Sequence, residues 1–368
     1  MVLSECTCEG LKTGITTTYM DIMRVNRVII AALFGLFGLA LAMPATAAVL
    51  KIATIAPEGS EWMVEHRAAA KKIKELTEGR VSLKFYGGGV MGNDRKVLRK
   101  IRIGQLQGAA FTTSGLAERY PGMVLYGMPF VFRSQDEVDF VRERLDGELL
   151  QGLEDAGFVS FGFAGGGFAN FMSNQPLTDH ASLQSKKIWV PEGDVISFTA
   201  LESMNLSPVV LPLSDVLTGL QTGLLDVIVT PPVAALLLQW YTKVKYINPL
   251  PIAYTIGLMA IEARAFERIA PADQELIRGV LSDTYLRLDE INRQDNIEAR
   301  EALLANGLQM VEVSQKDIPY WREVAEETNE RMWNESGADP ALYRKLIDLL
   351  DEFRAADSAV ESIADVGM

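Results

Sequence analysis

From Lys187 to Thr230 the chain reads KIWVPEGDVISFTALESMNLSPVVLPLSDVLTGLQTGLLDVIVT, and no other stretch limits the possible folds as tightly. Ile188–Val190 is a short apolar run closed by Pro191. Gly193-Asp194 follows, and Asp194 can cap a helix running to about Met204. Pro208–Leu211 is rich in β-formers and is stopped by Pro212. Ser214 can cap the next helix, and Gly223 ends it. Asp226–Val229 is a third apolar run, stopped by Pro231-Pro232. Strands alternating with helices imply a parallel sheet covered by helices on both faces. Ligands of such sheets sit beyond the carboxyl ends of the strands. Here those ends are Trp189–Glu192, Leu211–Ser214 and Thr230–Pro232.

A second βαβ opening lies earlier in the chain. LKIATIA at 50–56 reads as a strand, and Ser60 starts a helix whose apolar positions include Trp62, Val64, Ala68 and Ile73. RVSLKFY at 80–86 alternates as a strand, and GGGVMG at 87–92 is a turn. Asn93 or Asp94 caps a helix to Gly104, and Gly108–Thr112 is a small-residue strand. The glycine run has no G-K-[ST] after it, so it reads as a turn rather than a phosphate loop. Ser134–Leu153 is a charged helix. Later, 251–261 is a long β-type run, Asp273 to Ala305 is a long amphipathic helix, and Gly307–Val313 is a strand. Asp317–Arg354 holds further helices, and residues 356–368 read as a frayed tail.

The formal net charge of −13 argues against nucleic acid as a partner, because phosphate binding needs basic patches. It leaves a small anionic ligand open, since a pocket can differ from the surface around it. Arg24 and Arg27 precede VIIAALFGLFGLALA and then Ala45-Thr46-Ala47. This order of basic, apolar and small-residue regions predicts a cleaved export signal with Met23 as start and the mature chain beginning near Ala48. An uncleaved anchor is the alternative, for which the apolar run is short. The charges lost with residues 1–47 cancel. Both cysteines, Cys6 and Cys8, lie in that leader, so the exported chain has no disulfide or thiol site. His66 and His180 fall in no zinc-binding spacing, and no metal or other cofactor is expected. No G-x-S-x-G elbow is present. Glu192 and Asp194 look like a carboxylate pair, yet capping and solvation explain them more simply. A binding module is therefore expected rather than an enzyme.

KKIWVPEGD followed by LSDVLTGLQTGLLD resembles the central signature of the solute-binding proteins of TRAP (tripartite ATP-independent periplasmic) transporters, with LQTGLLD at 220–226 the strongest piece. GRVSLKFYGGGVMGND, MPFVFRS at 128–134 and Val244-Lys245-Tyr246 also resemble family segments, so the likeness covers about residues 50–335. The resemblance implies an α/β periplasmic binding protein of two lobes (type II-like), with a cleft between them and a long helix spanning both. Its lobes would be 48–166 with about 255–294, and 167–254 with about 295–355. It also implies a receptor that captures a small organic solute and hands it to TRAP membrane subunits. The receptor of an ABC importer and a periplasmic enzyme on the same scaffold are the alternatives.

Carried over residue by residue, the family's cleft positions fall at Trp189, Ala169, Thr230, Leu213 and Thr113, with Glu58 in the loop after the first strand. Acid-binding members have an arginine at the place of Trp189 and a second at that of Ala169. They have an asparagine at the place of Thr230, an aromatic near Leu213, and a glutamate in the first lobe at Thr113. All five are changed here. Indole cannot form the paired charged hydrogen bonds by which guanidinium holds a carboxylate. The expectation is a less charged solute, or an acid with a ring or alkyl body, and poor binding of small C4-dicarboxylates. Arg67, Arg95 and Arg119 are the remaining candidates for charge.

Overall fold

The computed structural model describes residues 47–366, with side chains to 357. The expected export signal lies outside the described residues. The strands are β1 (Ala48–Ala53), β2 (Val81–Tyr86), β3 (Gly108–Thr112), β4 (Phe158–Ser160), β5 (Ala164–Ser173), β6 (Lys187–Pro191), β7 (Ser207–Leu211), β8 (Val227–Thr230), β9 (Tyr246–Ile247), β10 (Ala253–Glu262) and β11 (Gln309–Met310). The longer helices are α1 (Glu61–Leu76), α2 (Asp94–Arg102), α3 (Gln135–Asp155), α4 (Val195–Ser203), α5 (Val216–Thr222), α6 (Pro232–Leu237), α7 (Pro271–Ala305), α8 (Ile318–Glu335) and α9 (Pro340–Val366).

The main path of the sheet runs β2-β1-β3-β10-β5-β8-β6-β7. β2, β1 and β3 are parallel to one another, and so are β8, β6 and β7. Between these halves run β10 and β5, antiparallel to each other and to their outer neighbours β3 and β8. β5 changes partner midway. Ala164 to Ala169 pair with β10, and Asn170 to Ser173 pair with β8. Two strands therefore cross from one half to the other, and the halves form two lobes. The expected βαβ openings at 48–112 and 187–230 are the two parallel halves.

The inner strands β3, β6 and β8 are largely buried on both faces, as parallel strands usually are, whereas the edge strand β7 stays partly exposed. Alternation divides the side chains. Tyr254, Ile256 and Leu258 of β10 enter one core with Phe111 and Leu145, and Met259 and Ile261 enter another with Ile52 and Ile73. In the second half Ile188 and Val227 face Trp321 of α8, whereas Trp189 and Ile228 face Trp240 and Leu220.

Local chemistry sets the helix ends. Ser60, Asn93 and Asp194 cap α1, α2 and α4, each side-chain oxygen accepting from the backbone N–H three residues on. Gly223 ends α5 at φ 72°. Ser214 does not cap α5 as expected. Its hydroxyl donates to Asp215 at 2.9 Å, after a turn of tighter helix at Leu213–Asp215. The long helix α7 starts on Pro271, where a missing N–H costs nothing, and its 35 residues span about 50 Å. Ile277, Leu281 and Leu288 bury it in the first half and Leu303 in the second.

At the C-terminal end the structure departs from the sequence reading. The stretch 307–313 forms only the two-residue β11. α8 packs on the second half through Ile318, Trp321 and Ala325, and its far end reaches the first, where Trp333 joins a core and Asn329 Nδ2 donates to the Pro129 carbonyl. α9 returns to the first, where Leu342, Leu346 and Leu350 share a core with Val138, Val141 and Leu145 of α3. α9 is helical to Val366, well into the stretch from 356 that reads as a tail. No helix among the described residues is long and apolar enough to cross a membrane.

Candidate functional site

The carboxyl ends of β1, β3, β6, β7 and β8 converge on a cavity of about 300 Å³ between the two halves. Trp189, Ala169, Thr230, Leu213 and Thr113 all line it. Glu58 does not line it. It accepts two hydrogen bonds from the exposed Arg67, two turns into α1. Ala169 lies where β5 changes partner, opposite Ala253, so two small residues leave room at the crossing.

Trp189 is 4 % exposed. Its single N–H donates to the carbonyl of Leu211 on the neighbouring strand at 2.9 Å. Its ring meets Trp240 edge-on at a centroid distance of 5.3 Å. Thus the indole is both core and wall. Its donor is already used, so it offers a solute apolar surface only. Phe130, Phe171 and Ile252 add further apolar wall.

The charged side chains of the lining are all acidic, among neutral polar ones such as Thr113, Thr230 and Tyr254. Asp94, Glu192 and Asp194 reach the cavity, and no Lys, Arg or His among the described residues lines it. Arg67, Arg95 and Arg119 therefore do not supply an anion anchor there. Burial pushes the Asp94 carboxyl up to about 6, against a 3.0 Å hydrogen bond from the Thr112 hydroxyl, and the nearby Glu192 charge adds to the rise. Burial also raises Asp194, opposed by the hydrogen bonds from Ser197 that make it the cap of α4. Among the described residues neither Asp94 nor Asp194 has an ion-pair partner. Both lie deep in the fold yet keep a partly exposed surface toward the cavity.

Glu192 ties the halves together. Its carboxylate accepts from Asn93 Nδ2 at 2.9 Å and lies 3.6 Å from the guanidinium of the exposed Arg95. Asn93 does two jobs, since its Oδ1 caps α2. Beside this contact Gly193, at φ 93°, passes so near the carbonyl of Ser114 that a Cβ would meet it at 2.9 Å. Asn93 and Asp94 stood in the sequence as helix-start residues. Only the approach of the second half turns their other sides into cleft groups.

His66 is fully buried in α1, stacked on Trp62, with Nδ1 2.8 Å from the Trp62 carbonyl. His180 accepts from the Trp321 indole at 3.2 Å. No cluster of His, Cys, Asp and Glu able to hold a metal occurs among the described residues.

Strand ends of two βαβ halves facing one cavity, joined by crossing strands, define a two-lobed binding-protein fold. Residues 52–336 match the profile of the bacterial extracellular solute-binding protein family 7 (DctP), and the chain belongs to that family. It is a solute-binding protein of the TRAP transport class. The C4-dicarboxylate-binding periplasmic protein DctP of Rhodobacter capsulatus is 24 % identical over 331 residues, covering 86 % of this chain and 96 % of that one. The 2,3-diketo-L-gulonate-binding periplasmic protein YiaO of Escherichia coli is 24 % identical over 228 residues, covering 60 % and 68 %. Among solved structures, a TRAP periplasmic solute-binding protein of Xanthobacter autotrophicus with bound β-D-galacturonate superposes with a TM-score of 0.75 at 18 % identity, covering 82 % of this chain and 99 % of that one. One from Desulfovibrio salexigens with bound orotic acid gives 0.75 at 20 %, covering 84 % and 99 %.

Proposed function

We propose that this chain is the extracytoplasmic receptor of a TRAP-type secondary transporter, exported with cleavage near Ala47. It would close on a small organic solute between its lobes and deliver it to the membrane subunits. The observation that carries this reading is the cavity at the strand ends, lined by five of the residues at the family's cleft positions. Glu192, bonded across the cleft, supports closure by lobe movement. We place the first lobe at 48–166 with about 255–294 and α9, and the second at 167–254 with about 295–335. The site binds and releases without chemistry.

The solute is less charged than a C4-dicarboxylate and carries a ring or alkyl body. The related DctP of Rhodobacter capsulatus is named for C4-dicarboxylates. Here a buried carboxylate would find Trp189 and Ala169 in place of guanidinium groups, and an unpaired buried charge is costly. The test is mass spectrometry of solute co-purified from the periplasm, followed by thermal-shift screening and calorimetry on wild type, Trp189→Ala and Trp189→Arg. Weak or absent binding of succinate and malate by the wild type is expected. Tight binding of either, unchanged in Trp189→Ala, overturns this reading of the pocket. Release of the bound solute to reconstituted TRAP subunits tests the receptor role separately.

A further inference from the structure

The site here is the cavity. Its acidic residues bear only on what charge it accepts. An anion entering it meets Asp94 and Asp194, neither of them ion-paired, and Glu192 beyond. Among the described residues it meets no cationic side chain on the lining, and the one indole donor on the wall is bonded to Leu211. A metal ion has no converging ligand set among the described residues. An organic ammonium group fits each of these facts. It brings donors to the three carboxylates of the lining, and its charge offsets carboxylates held in a poorly solvated place. The apolar walls at Trp189, Phe130 and Leu213 suit the body that carries it.

We propose that the cavity takes an organic cation, a primary or secondary ammonium on a ring or branched alkyl body, with the ammonium between Asp94 of the first half and the Glu192–Asp194 loop of the second. This deepens the receptor reading and rests on it. Because the charge would bind carboxylates from both halves, such a solute would itself draw the cleft shut. Burial that disfavours ionised Asp94 is relieved when the ammonium arrives, so binding of a cation strengthens as Asp94 ionises, and binding of an anion weakens.

The experiment compares three probes of similar body and different head: 2-phenylethylamine, 2-phenylethanol and 3-phenylpropionate. Their affinities are measured by calorimetry on the full exported chain at about pH 7.5 and about pH 5. The amine is expected to bind about tenfold or more tighter than the alcohol, the acid most weakly, and the amine's lead to shrink at the lower pH. Asp94→Asn should weaken the amine about tenfold and leave the alcohol unchanged. Glu192→Gln, nearer the surface, gives the same comparison should Asp94→Asn fail to fold. Equal or tighter binding of the acid overturns the proposal, as does absence of amine binding. If the acid binds and small-angle scattering shows the lobes closing on it, the charge assignment falls and the receptor reading stands. If no solute closes the lobes, the receptor reading falls with it.

Discussion

The carboxylates around Arg142 and those in the cleft lie at similar depth and are treated in opposite ways. Around Arg142 every charge is answered. The guanidinium donates twice to Asp289, at 2.7 and 2.9 Å, twice to Asp146, and once to the Phe163 carbonyl. Asp289 also accepts from the backbone of Gly165, and Asp146 from the Tyr126 hydroxyl. The cluster joins α3, α7 and the start of β5. In the cleft, Asp94 and Asp194 have hydroxyl and backbone partners but no counter-charge. A completed network can serve architecture alone. One left incomplete around a cavity leaves room for a solute to complete it.

The largest test of this contrast is Arg142→Met. It removes a buried guanidinium and strands two half-buried carboxylates, at an expected cost near the lower end of about 3–5 kcal/mol in urea unfolding. A loss below about 1 kcal/mol would show the network to be incidental. Next, Trp189→Ala removes a buried indole and orphans the Leu211 carbonyl, at an expected cost of about 3 kcal/mol. A much smaller cost would mean that the wall is solute-facing rather than core.

Two titrations sharpen the comparison further. His66 is held near 4 by burial, so the unfolded chain takes up its proton first as pH falls. Stability should drop from about pH 6.5 toward pH 4, by up to about 3 kcal/mol, and His66→Phe should flatten that slope in melts across the window. Asp94 acts with the opposite sign. Its folded value lies above its ordinary one, so the folded state is relatively favoured as pH falls from 6 toward 4, and above 6 the ionised group is a standing cost. Asp94→Asn should therefore stabilise the solute-free protein by about 1–2 kcal/mol at neutral pH, the shift being discounted because the group faces the cavity, and by nothing near pH 4. Destabilisation at neutral pH would show that Asp94 is structural.

Much of this was legible in the residues because it is local. The caps at Ser60, Asn93 and Asp194, the turn at Gly223, and the alternation of strand and helix follow from neighbours a few positions apart. The register of Trp189 was equally plain, fixed by the proline after Val190 and the LQTG run. What the sequence could not show was tertiary. The Trp189 donor is spent on Leu211 only because β6 and β7 lie side by side. Glu58 was carried to the cleft by likeness, but Arg67 two turns into α1 claims it. Asp94 carried a signal that was read for only one of its two jobs. A carboxylate just inside a helix start usually serves the helix, and nothing nearby in sequence announces Glu192 across the gap. α9 likewise has an apolar stripe that would fit either half.

That return of α9 bears on how the protein comes into being. The first core takes its parts from β1 to β4, from β10 and α7, and finally from Leu342, Leu346 and Leu350. A ribosome that has delivered residues 48–163 has supplied a strand edge and half a core with nothing to cover them. Contacts of such long sequence separation form slowly. The nascent chain would remain open, and exposed to chaperones, until α9 arrives. The same interlacing means that a truncation before Pro340 should leave a gap beside α3 in the first lobe, far from where the chain was cut in sequence.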